Sequence, residues 1–271
     1  MIIKTNDYPP DFITGSEENN ITMFNNLVKL DRSNLICIAA RPGMGKTSLA
    51  LHMALEYSKK SDKIVYIFSI DSCSAEIYER MLCSLAEIDT YHMRIRSFSA
   101  EDKDKIAKAG NLLKNMNIII DDVTGLNERQ IIDRLDTVEN LGLVIIDSLQ
   151  YVNCSRKMEI LAQEIGIITR ELNSFAKRKN IPVILTHKLN RKIEEREDKR
   201  PLLGDLRENG ALVQDLDTII FLYRDEYYHD ISKDCSQAEI IIAKNRYGYT
   251  ETVFLEWQGR YGKFSEVDKE V

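Results

Sequence analysis

An apolar run that ends in a glycine-rich loop is the feature that most restricts the fold of this chain. The run LICIAA leads into ARPGMGKTS, and a helical pattern follows from Ser48. A strand, a glycine-rich loop and a helix in this order form a phosphate-binding P-loop. The loop departs from the pattern GxxxxGK[ST] only at its first position, where Ala40 keeps a compact residue at the end of the strand.

The residues of this loop have the chemistry that binding ATP and Mg²⁺ requires. Gly43 and Gly45 allow successive backbone N–H groups to point towards an anion, and the positive end of the following helix lies at the same place. Lys46 is predicted to reach the β- and γ-phosphates, and Thr47 to supply a hydroxyl ligand to Mg²⁺. The residues predicted to bind the nucleotide are Arg41, Gly43, Met44, Gly45, Lys46, Thr47 and Ser48.

A second apolar run, LGLVIIDS, ends in Asp147. A carboxylate at the end of a buried strand is costly without a counter-charge. An isolated aspartate at a strand end caps a helix about as often as it serves a site. Together with Lys46 and Thr47, Asp147 is interpreted as the Walker B aspartate, which acts with Thr47 at the Mg²⁺ ion.

Short apolar runs alternate with amphipathic segments along the chain, which is typical of an α/β fold with a mostly parallel sheet. Apolar residues fill nearly every position of these runs, as strands covered on both faces require. Parallel strands are predicted at residues 35–39, 64–69, 117–120, 143–146 and 182–186. Antiparallel strands are predicted at the C-terminal end, at residues 218–223, 239–243 and 252–257.

The clearest helical pattern covers residues 158–179. Apolar residues recur there at steps of three and four, which predicts a stripe that packs into the core. The stripe consists of Leu161, Ile165, Ile168, Leu172 and Phe175. The fold class is therefore α/β, with a mostly parallel central sheet and helices on both faces. No Pro/Gly/Ser-rich linker divides the chain, so we expect one domain at residues 31–271 and a short extension at residues 1–30.

Composition restricts the environment and the partners. The chain is 44% hydrophobic and 30% charged, which suits a globular domain with a full core. It has no signal-peptide pattern and no run long enough to span a bilayer, which predicts a cytoplasmic protein without a membrane partner. Five scattered cysteines without a CxxC pair are expected to be reduced, mostly buried thiols. A net charge of −6 argues weakly against nucleic acid, so DNA binding would rest on a local surface.

Four segments together resemble the C-terminal motor domain of DnaB-type replicative DNA helicases, over about residues 34–264. They are RPGMGKT, IIDSLQYV, DKRPLLGDLRENGALVQDLDTIIFLYRDE and AEIIIAKNRYGYTETVFLEWQGRYGKF. The resemblance implies a RecA-like P-loop NTPase core in a hexameric ring. ATP lies between neighbouring subunits, and its hydrolysis drives translocation along single-stranded DNA. It implies replication proteins or a full-length helicase as partners. The same segments count against a RecA-like recombination or clock-type ATPase.

The resemblance also implies roles for two further groups of residues. Lys244 and Arg246 match the cations that stabilise charge on the phosphoryl group bound by the neighbouring subunit. The residues that match the DNA-contacting loop of the central channel are Arg207, Glu208, Asn209 and Gly210. Without the resemblance, the first pair would be a solvated strand end, and charge alone favours a plain surface loop for the second group.

Three features depart from the family pattern. Asp71 stands where the family has a catalytic glutamate, and its shorter side chain is expected to slow hydrolysis. Lys188 stands where the family has a γ-phosphate-sensing glutamine, and is expected to bind phosphate more strongly. His187 beside it is either catalytic or a hydrogen-bonded neighbour. The family's N-terminal domain and linker helix have no counterpart before Asn34, so rings are expected to need DNA, nucleotide or another protein.

These observations lead to two hypotheses. The first is an ATP-dependent DNA helicase or translocase motor, with Lys46, Asp71, Asp147 and Lys188 as its catalytic groups in one subunit. The second is a catalytically weakened DnaB-like regulatory protein, a loader or an inhibitor, that binds nucleotide and a full-length helicase. Stimulation of ATP turnover by single-stranded DNA distinguishes the two hypotheses.

Overall fold

The computed structural model describes Phe24, residues 28–229 and residues 236–267, with only the backbone of residues 207–211. Within these residues the strands form a single sheet. The strands are β1 (Asn34–Ala40), β2 (Ile64–Ser69), β3 (Ile118–Asp121), β4 (Leu141–Asp147), β5 (Pro182–Lys188), β6 (Thr218–Tyr223), β7 (Gln237–Asn245), β8 (Glu251–Gln258) and β9 (Lys263–Ser265). The α-helices are α1 (Lys46–Lys60), α2 (Ser74–Ala86), α3 (Thr90–Ile95), α4 (Ala100–Lys114), α5 (Glu128–Asp136), α6 (Leu161–Lys179) and α7 (Gly210–Asp215).

The strand order in the sheet is β3-β2-β4-β5-β1-β6-β7-β8-β9. The pairs from β3 to β6 are parallel, and those from β6 to β9 are antiparallel. This confirms the predicted fold class. The carboxyl ends of the parallel strands meet at one edge of the sheet, which we call the carboxyl edge. Ligands of open α/β sheets bind at such an edge.

Helices cover both faces of the sheet because its central strands are apolar on both sides. Along β1, Ile36 and Ile38 pack into the cluster that contains α1, α2 and α4, whereas Leu35 and Cys37 pack into the cluster of α5 and α6. This alternation follows from the two-residue period of a strand. Burying each of these aliphatic side chains stabilises the fold by about 1.5–3 kcal/mol.

The structure corrects parts of the predicted core. In α6, the residues Ile165, Ile168, Leu172 and Phe175 are buried, but Leu161 is 67% exposed. The helix begins at Leu161 rather than at residue 158, so this side chain precedes the turns that face the sheet. Strand β3 lies at the edge of the sheet. Its Ile119 is 39% exposed, because an edge strand is less fully covered than the central strands.

The cysteine prediction was also only partly right. Of the four cysteines in the described residues, all are free thiols, with Cys37 and Cys83 buried, Cys154 half-buried and Cys73 exposed. Cys73 immediately precedes α2 in the loop that follows β2, where the chain runs over the surface. Cys235 lies outside the described residues.

Candidate nucleotide-binding site

The glycine-rich loop connects β1 to α1 at the carboxyl edge. Gly43 and Gly45 have φ values of 79° and 102°, in the left-handed region that favours glycine. Their surroundings also exclude a side chain. A Cβ atom on Gly45 would lie 3.2 Å from the ring of Phe264, and one on Gly43 would lie 3.1 Å from Tyr227. The turn therefore exposes backbone N–H groups at the positive end of α1.

Asp147 lies at the end of β4, beside the first turn of α1. The Thr47 hydroxyl donates a hydrogen bond to Asp147 Oδ2 over 2.7 Å. The Thr186 hydroxyl, from β5, donates a hydrogen bond to Asp147 Oδ1. Asp147 is only 7% exposed, and the two hydroxyls satisfy its carboxylate, as buried charges require.

The pairing of Thr47 with Asp147 fits a Mg²⁺ site. A hydroxyl and a carboxylate are the hard oxygen donors that this ion prefers, and Mg²⁺ ordinarily takes only one or two protein ligands beside phosphates and water. Sequence reasoning identified both residues but missed Thr186. The available signal was a polar residue directly after the apolar run PVIL of β5.

Lys46 begins α1, and its ammonium folds back over the loop. Its Nζ donates hydrogen bonds to the carbonyl oxygens of Ala40 and Arg41, both at 3.3 Å. Burial lowers the pKa of Lys46 to about 8, an effect that Asp147 opposes and Lys188 reinforces. The exposed Lys188 thus adds a second positive charge near this mostly buried ammonium. A polyanionic ligand such as a triphosphate would relieve their repulsion and favour the charged form of Lys46.

The remaining loop residues differ in their environment. Met44 is buried and anchors the loop to the core. The Arg41 guanidinium turns towards the segment after β5, where it donates hydrogen bonds to Glu194 Oε1 (2.8 Å) and to the carbonyl oxygen of Leu189 (2.7 Å). Ser48 faces Gly262, whose Cβ position would be 3.7 Å from its hydroxyl. The side chain of Arg41 therefore braces the loop in this structure.

The end of β5 completes the carboxyl edge. Lys188 pairs in register with Ala40, its side chain is exposed, and its backbone N–H donates a hydrogen bond to Gln150 Oε1 over 3.0 Å. His187 is buried, and burial lowers its pKa to about 4, with a further contribution from Lys46. The imidazole is consequently neutral at pH 7, and it adds no positive charge to the site.

Asp71 lies in the turn after β2, at the same edge. Ser69, the last residue of β2, pairs with Asp147, and its hydroxyl donates a hydrogen bond to the carbonyl oxygen of Ser72 over 2.6 Å. This bond closes the turn and exposes Asp71. Asp71 is near enough to Lys46 to raise the pKa of that lysine. The structure thus brings four predicted groups to one edge: Lys46, Asp71, Asp147 and Lys188.

Lys244 and Arg246 lie at the opposite edge. Because β7 is antiparallel to β6, its last residue, Asn245, pairs with Thr218 at the start of β6. Arg246 donates a hydrogen bond to Asp217 Oδ1 over 3.0 Å, and its side chain is 61% exposed. The seven residues of β1 span the sheet between the two edges, which separates them by roughly 20 Å. The structure does not bring these cations to the P-loop of their own chain.

The residues predicted to contact DNA are described only by their backbone. Arg207, Glu208 and Asn209 end the 3₁₀ turn Leu203–Asn209, and Gly210 begins α7. Their side chains lie outside the described residues. Just before them, Leu206 is buried, and Asp205 accepts two hydrogen bonds of 3.0 Å from Arg196. The turn is therefore anchored at its start.

Sequence reasoning missed an aromatic group beside the P-loop. Trp257, the only tryptophan of the chain, packs against Phe264 with the two rings tilted and their centroids 4.7 Å apart, and the Arg224 guanidinium lies 5.0 Å from its ring centroid. Trp257 also lines a pocket of about 480 Å³ that opens beside Ser48 on α1. A lone tryptophan on a strand returning to the carboxyl edge was the available signal.

Among the described residues, no helix combines the length and the apolarity needed to cross a membrane.

Residues 19–266 match the family model described as the DnaB-like helicase C terminal domain. The chain is 39% identical over 242 residues to the replicative DNA helicase DnaC of Bacillus subtilis (strain 168), covering 88% of this chain and 53% of that protein. It is 40% identical over 261 residues to the replicative DNA helicase DnaB of Buchnera aphidicola subsp. Acyrthosiphon pisum, covering 94% and 57%. The chain thus spans about half the length of the curated relatives it matches.

Solved structures agree with these relatives. One of them, described as an ATPase domain, superimposes with a TM-score of 0.85 at 34% identity, covering 92% of this chain and 90% of that one. A DnaB-like replicative helicase, described with its interactions with primase, gives a TM-score of 0.85 at 34% identity, covering 91% and 61%. The family model, the identities and the shared fold together show that this chain belongs to the DnaB-like helicase C-terminal domain family.

Proposed function

We propose that this protein is an ATP-dependent DNA helicase or translocase motor that hydrolyses ATP at the interfaces of a hexameric ring. The observation that carries the proposal is the contact between Thr47 and Asp147 beside Lys46, in a chain of this family. Residues 31–271 form the motor domain in this proposal, and residues 1–30 form a short extension. We expect it to act in the cytoplasm.

ATP and Mg²⁺ are the proposed substrate and cofactor. Lys46 and the loop from Arg41 to Ser48 bind the phosphates, and Thr47 and Asp147 hold the ion. A bound Mg²⁺ supplies a positive charge that offsets the negative charge of the phosphates. Asp71 accepts the proton of the attacking water as general base, and Lys188 contacts the terminal phosphate from the end of β5. Both side chains are exposed at the carboxyl edge, where an incoming ligand can reach them.

The ring is supported by the separation of the two edges. Arg246 cannot reach the P-loop of its own chain, but a head-to-tail arrangement would place it against the carboxyl edge of the next subunit. There it would stabilise the charge that develops on the transferred phosphoryl group, together with Lys244. Each active site would then consist of residues from two subunits.

Single-stranded DNA and replication proteins are the proposed partners. The segment Arg207–Gly210 contacts the DNA backbone in the central channel, where one modest contact per subunit adds up around the ring. Such repetition reconciles DNA binding with the net charge of −6. A full-length helicase is a further proposed partner of the same interfaces.

The decisive experiment measures ATP turnover with and without single-stranded DNA, beside the mass of the protein in solution. A motor gives turnover that DNA stimulates, and the variant Lys46→Ala loses it because the phosphates lose their lysine. Unstimulated turnover in a sample whose oligomer and bound nucleotide are both confirmed would contradict the motor.

The alternative is a catalytically weakened regulatory protein that joins rings of a full-length helicase. The short carboxylate of Asp71 and the extra cation at Lys188, which lowers the pKa of Lys46, favour it. Co-purification with an intact helicase, combined with turnover that Asp71→Glu leaves unchanged, would support this alternative. A clear gain of turnover in Asp71→Glu would show instead that the protein is an attenuated motor.

A further inference from the structure

The ammonium of Lys244 is directed into the protein, at the carboxyl end of α7. Its Nζ lies 2.8 Å from the carbonyl oxygen of Val213, 2.6 Å from that of Leu216 and 3.5 Å from that of Gln214. Carbonyl groups at the end of a helix lack partners within the helix, and a cation there is favoured by the helix dipole. An ammonium has three N–H donors, so these three carbonyls occupy all of them.

Helix α7 depends on such contacts because it is only six residues long. A helix of this length is not stable by itself in water. On one side, α6 holds it: the Thr169 hydroxyl donates a hydrogen bond to Asp215 Oδ2 over 2.9 Å, and Asn173 Nδ2 donates one to the Asp215 carbonyl oxygen over 2.6 Å. On the other side, Lys244 fastens it to β7. The helix begins at Gly210, the last residue of the segment proposed to bind DNA.

Lys244 and Arg246 therefore differ although they are two residues apart. Arg246 is exposed and paired with the buried Asp217, whereas Lys244 is half-buried. Burial lowers the pKa of Lys244 and Arg246 lowers it further, while Asp217 and Asp215 oppose the shift. Only Arg246 presents its charge outwards to a neighbouring molecule in this arrangement.

We propose that Lys244 is a positioning residue that fastens α7, and with it the segment Arg207–Gly210, to β7. Its ammonium contacts a neighbour's nucleotide only by giving up its hydrogen bond to at least one carbonyl oxygen at the end of α7. The proposal rests on the proposed function in one respect, which is the assignment of DNA binding to the segment Arg207–Gly210. The side chain of Lys244 would then link the edge that faces the neighbour's ATP to the segment that binds DNA.

Hydrogen–deuterium exchange of the whole chain, without nucleotide or DNA, tests the fastening directly. In Lys244→Met we expect the amides of residues 210–216 to exchange about tenfold faster than in the wild type, the effect of losing one strong hydrogen bond to a charged group. Arg246→Ala should leave them unchanged. Lys263→Met, the same substitution at a surface ion pair with Glu87, is the matched control.

Slow exchange in β1 reports that a variant is folded. Should Lys244→Met fail to fold, Lys244→Gln takes its place, because it removes the charge but keeps N–H donors. Exchange of residues 210–216 that equals the wild type in a folded variant overturns the proposal. An equal acceleration of this exchange in Arg246→Ala also overturns the proposal, because the cause would then be a change at the end of β7 and not the loss of the Lys244 ammonium.

Binding of a fluorescent oligothymidylate, measured by anisotropy without nucleotide, separates this proposal from the proposed function. We expect Lys244→Met to bind about tenfold more weakly and Lys244→Arg to recover part of the loss. A residue that acted only on a neighbour's phosphate would not change this affinity. If the wild type does not bind the oligonucleotide at all, the proposed function fails, and the exchange measurement still decides whether Lys244 fastens α7.

Discussion

The buried charge of Asp147 is maintained by two hydroxyl groups from different elements. Thr47 approaches from α1 and Thr186 from β5, so the carboxylate stays satisfied between them. The Thr47 hydroxyl would turn towards a metal ion on binding. Thr186 lies within the sheet and is completely buried, and it would keep one carboxylate oxygen in place during that change.

Replacing Thr186 with valine tests this support. Thr186→Val keeps the shape of the side chain but leaves Asp147 Oδ1 without its donor, so we expect the free energy of unfolding to fall by about 1–3 kcal/mol. Thr186→Ser, which keeps the hydroxyl, should retain more of the stability. Urea denaturation measures both variants, and a valine variant as stable as the serine variant would contradict the role of the hydroxyl.

His187 should contribute to loss of stability in acid. Burial lowers its pKa from 6.5 to about 4, so between these values the unfolded chain binds more protons than the folded one. The free energy of unfolding then falls as the pH falls through this window, by at most about 3 kcal/mol for this group. Half-buried His52 has a pKa lowered to about 4 as well, chiefly by desolvation, and acts in the same direction.

The variant His187→Gln isolates this contribution because it cannot gain the proton. We expect a flatter dependence of the free energy of unfolding on pH, from urea titrations at about pH 7, 5.5 and 4.5. His52 and the carboxylates contribute the same pH dependence to the free energy of unfolding in both proteins, so their contribution serves as the internal reference. Parallel curves for the variant and the wild type would mean that His187 binds its proton equally well in the folded and unfolded chains, which would contradict a pKa lowered by burial.

At the scale of elements, Gly142 permits a close contact of β4 with α1 and with the residue that precedes β2. A Cβ atom on Gly142 would lie 2.4 Å from the Cβ atom of Lys63 and 2.6 Å from the Tyr57 hydroxyl. The pairing of β2 with β4 shifts register at the same place, between Ile64 and Val65. Gly142 thus lets the strand that carries Asp147 approach its neighbour.

Adding a single methyl group at this position should be costly. We expect Gly142→Ala to lower the free energy of unfolding by about 1–3 kcal/mol, because the backbone of β4 must shift to relieve the overlap. Gly204→Ala is the control, since no atom lies within 4 Å of its Cβ position. Thermal or urea denaturation compares them, and equal losses at both positions would rule out the steric cause.

The strands could be predicted well because their patterns are strong. The predicted bounds of β2 and β6 coincide with the structure, and the other predicted strands differ by one to two residues at an end. Amphipathic segments were predicted between the strands, but no bounds were given for α2, α4 and α5. Few apolar residues of α4 and α5 are buried, although capping boxes at Ser99 and Asn127 start these two helices. Strand β9 has only three residues, too few for a periodic pattern.

The site was predictable where one short segment carries the chemistry, as in the P-loop and at Asp147. Contacts between distant segments had no local signal. Thr186, the aromatic ring of Trp257 and the inward direction of Lys244 depend on which strands become neighbours, and the direction of a side chain follows from that packing. The roles of the predicted catalytic and DNA-binding residues stay predictions.

At the scale of the whole molecule, the two edges of the sheet would carry complementary halves of a site in the proposed ring. Two inactive variants should therefore restore activity when mixed. Lys46→Ala removes the P-loop lysine, and Arg246→Ala removes the cation offered to the neighbour. In random rings of equal parts, about one quarter of the interfaces combine an intact P-loop with an intact arginine.

We expect each variant alone to be inactive and the mixture to regain up to about one quarter of the wild-type ATP turnover after subunit exchange. Mixing Lys46→Ala with a Lys46→Ala/Arg246→Ala double variant is the control, because no interface then contains an intact P-loop. Persistent inactivity of the first mixture, with hybrid oligomers confirmed by mass, would argue that Arg246 does not serve a neighbour.

The alternating directions of the last strands divide these tasks. Strand β7 runs towards the edge where Arg246 is exposed, and β8 runs back and delivers Trp257 to Gly45. Each further antiparallel strand would bring the residues that follow it to the opposite edge of the sheet. An inserted pair of strands would keep the following residues at the same edge, so those near the chain's own P-loop would stay there. A single inserted strand would move them to the edge that faces the neighbour in the proposed ring. In the proposed ring, the topology therefore imposes a parity rule on any lengthening of this C-terminal sheet.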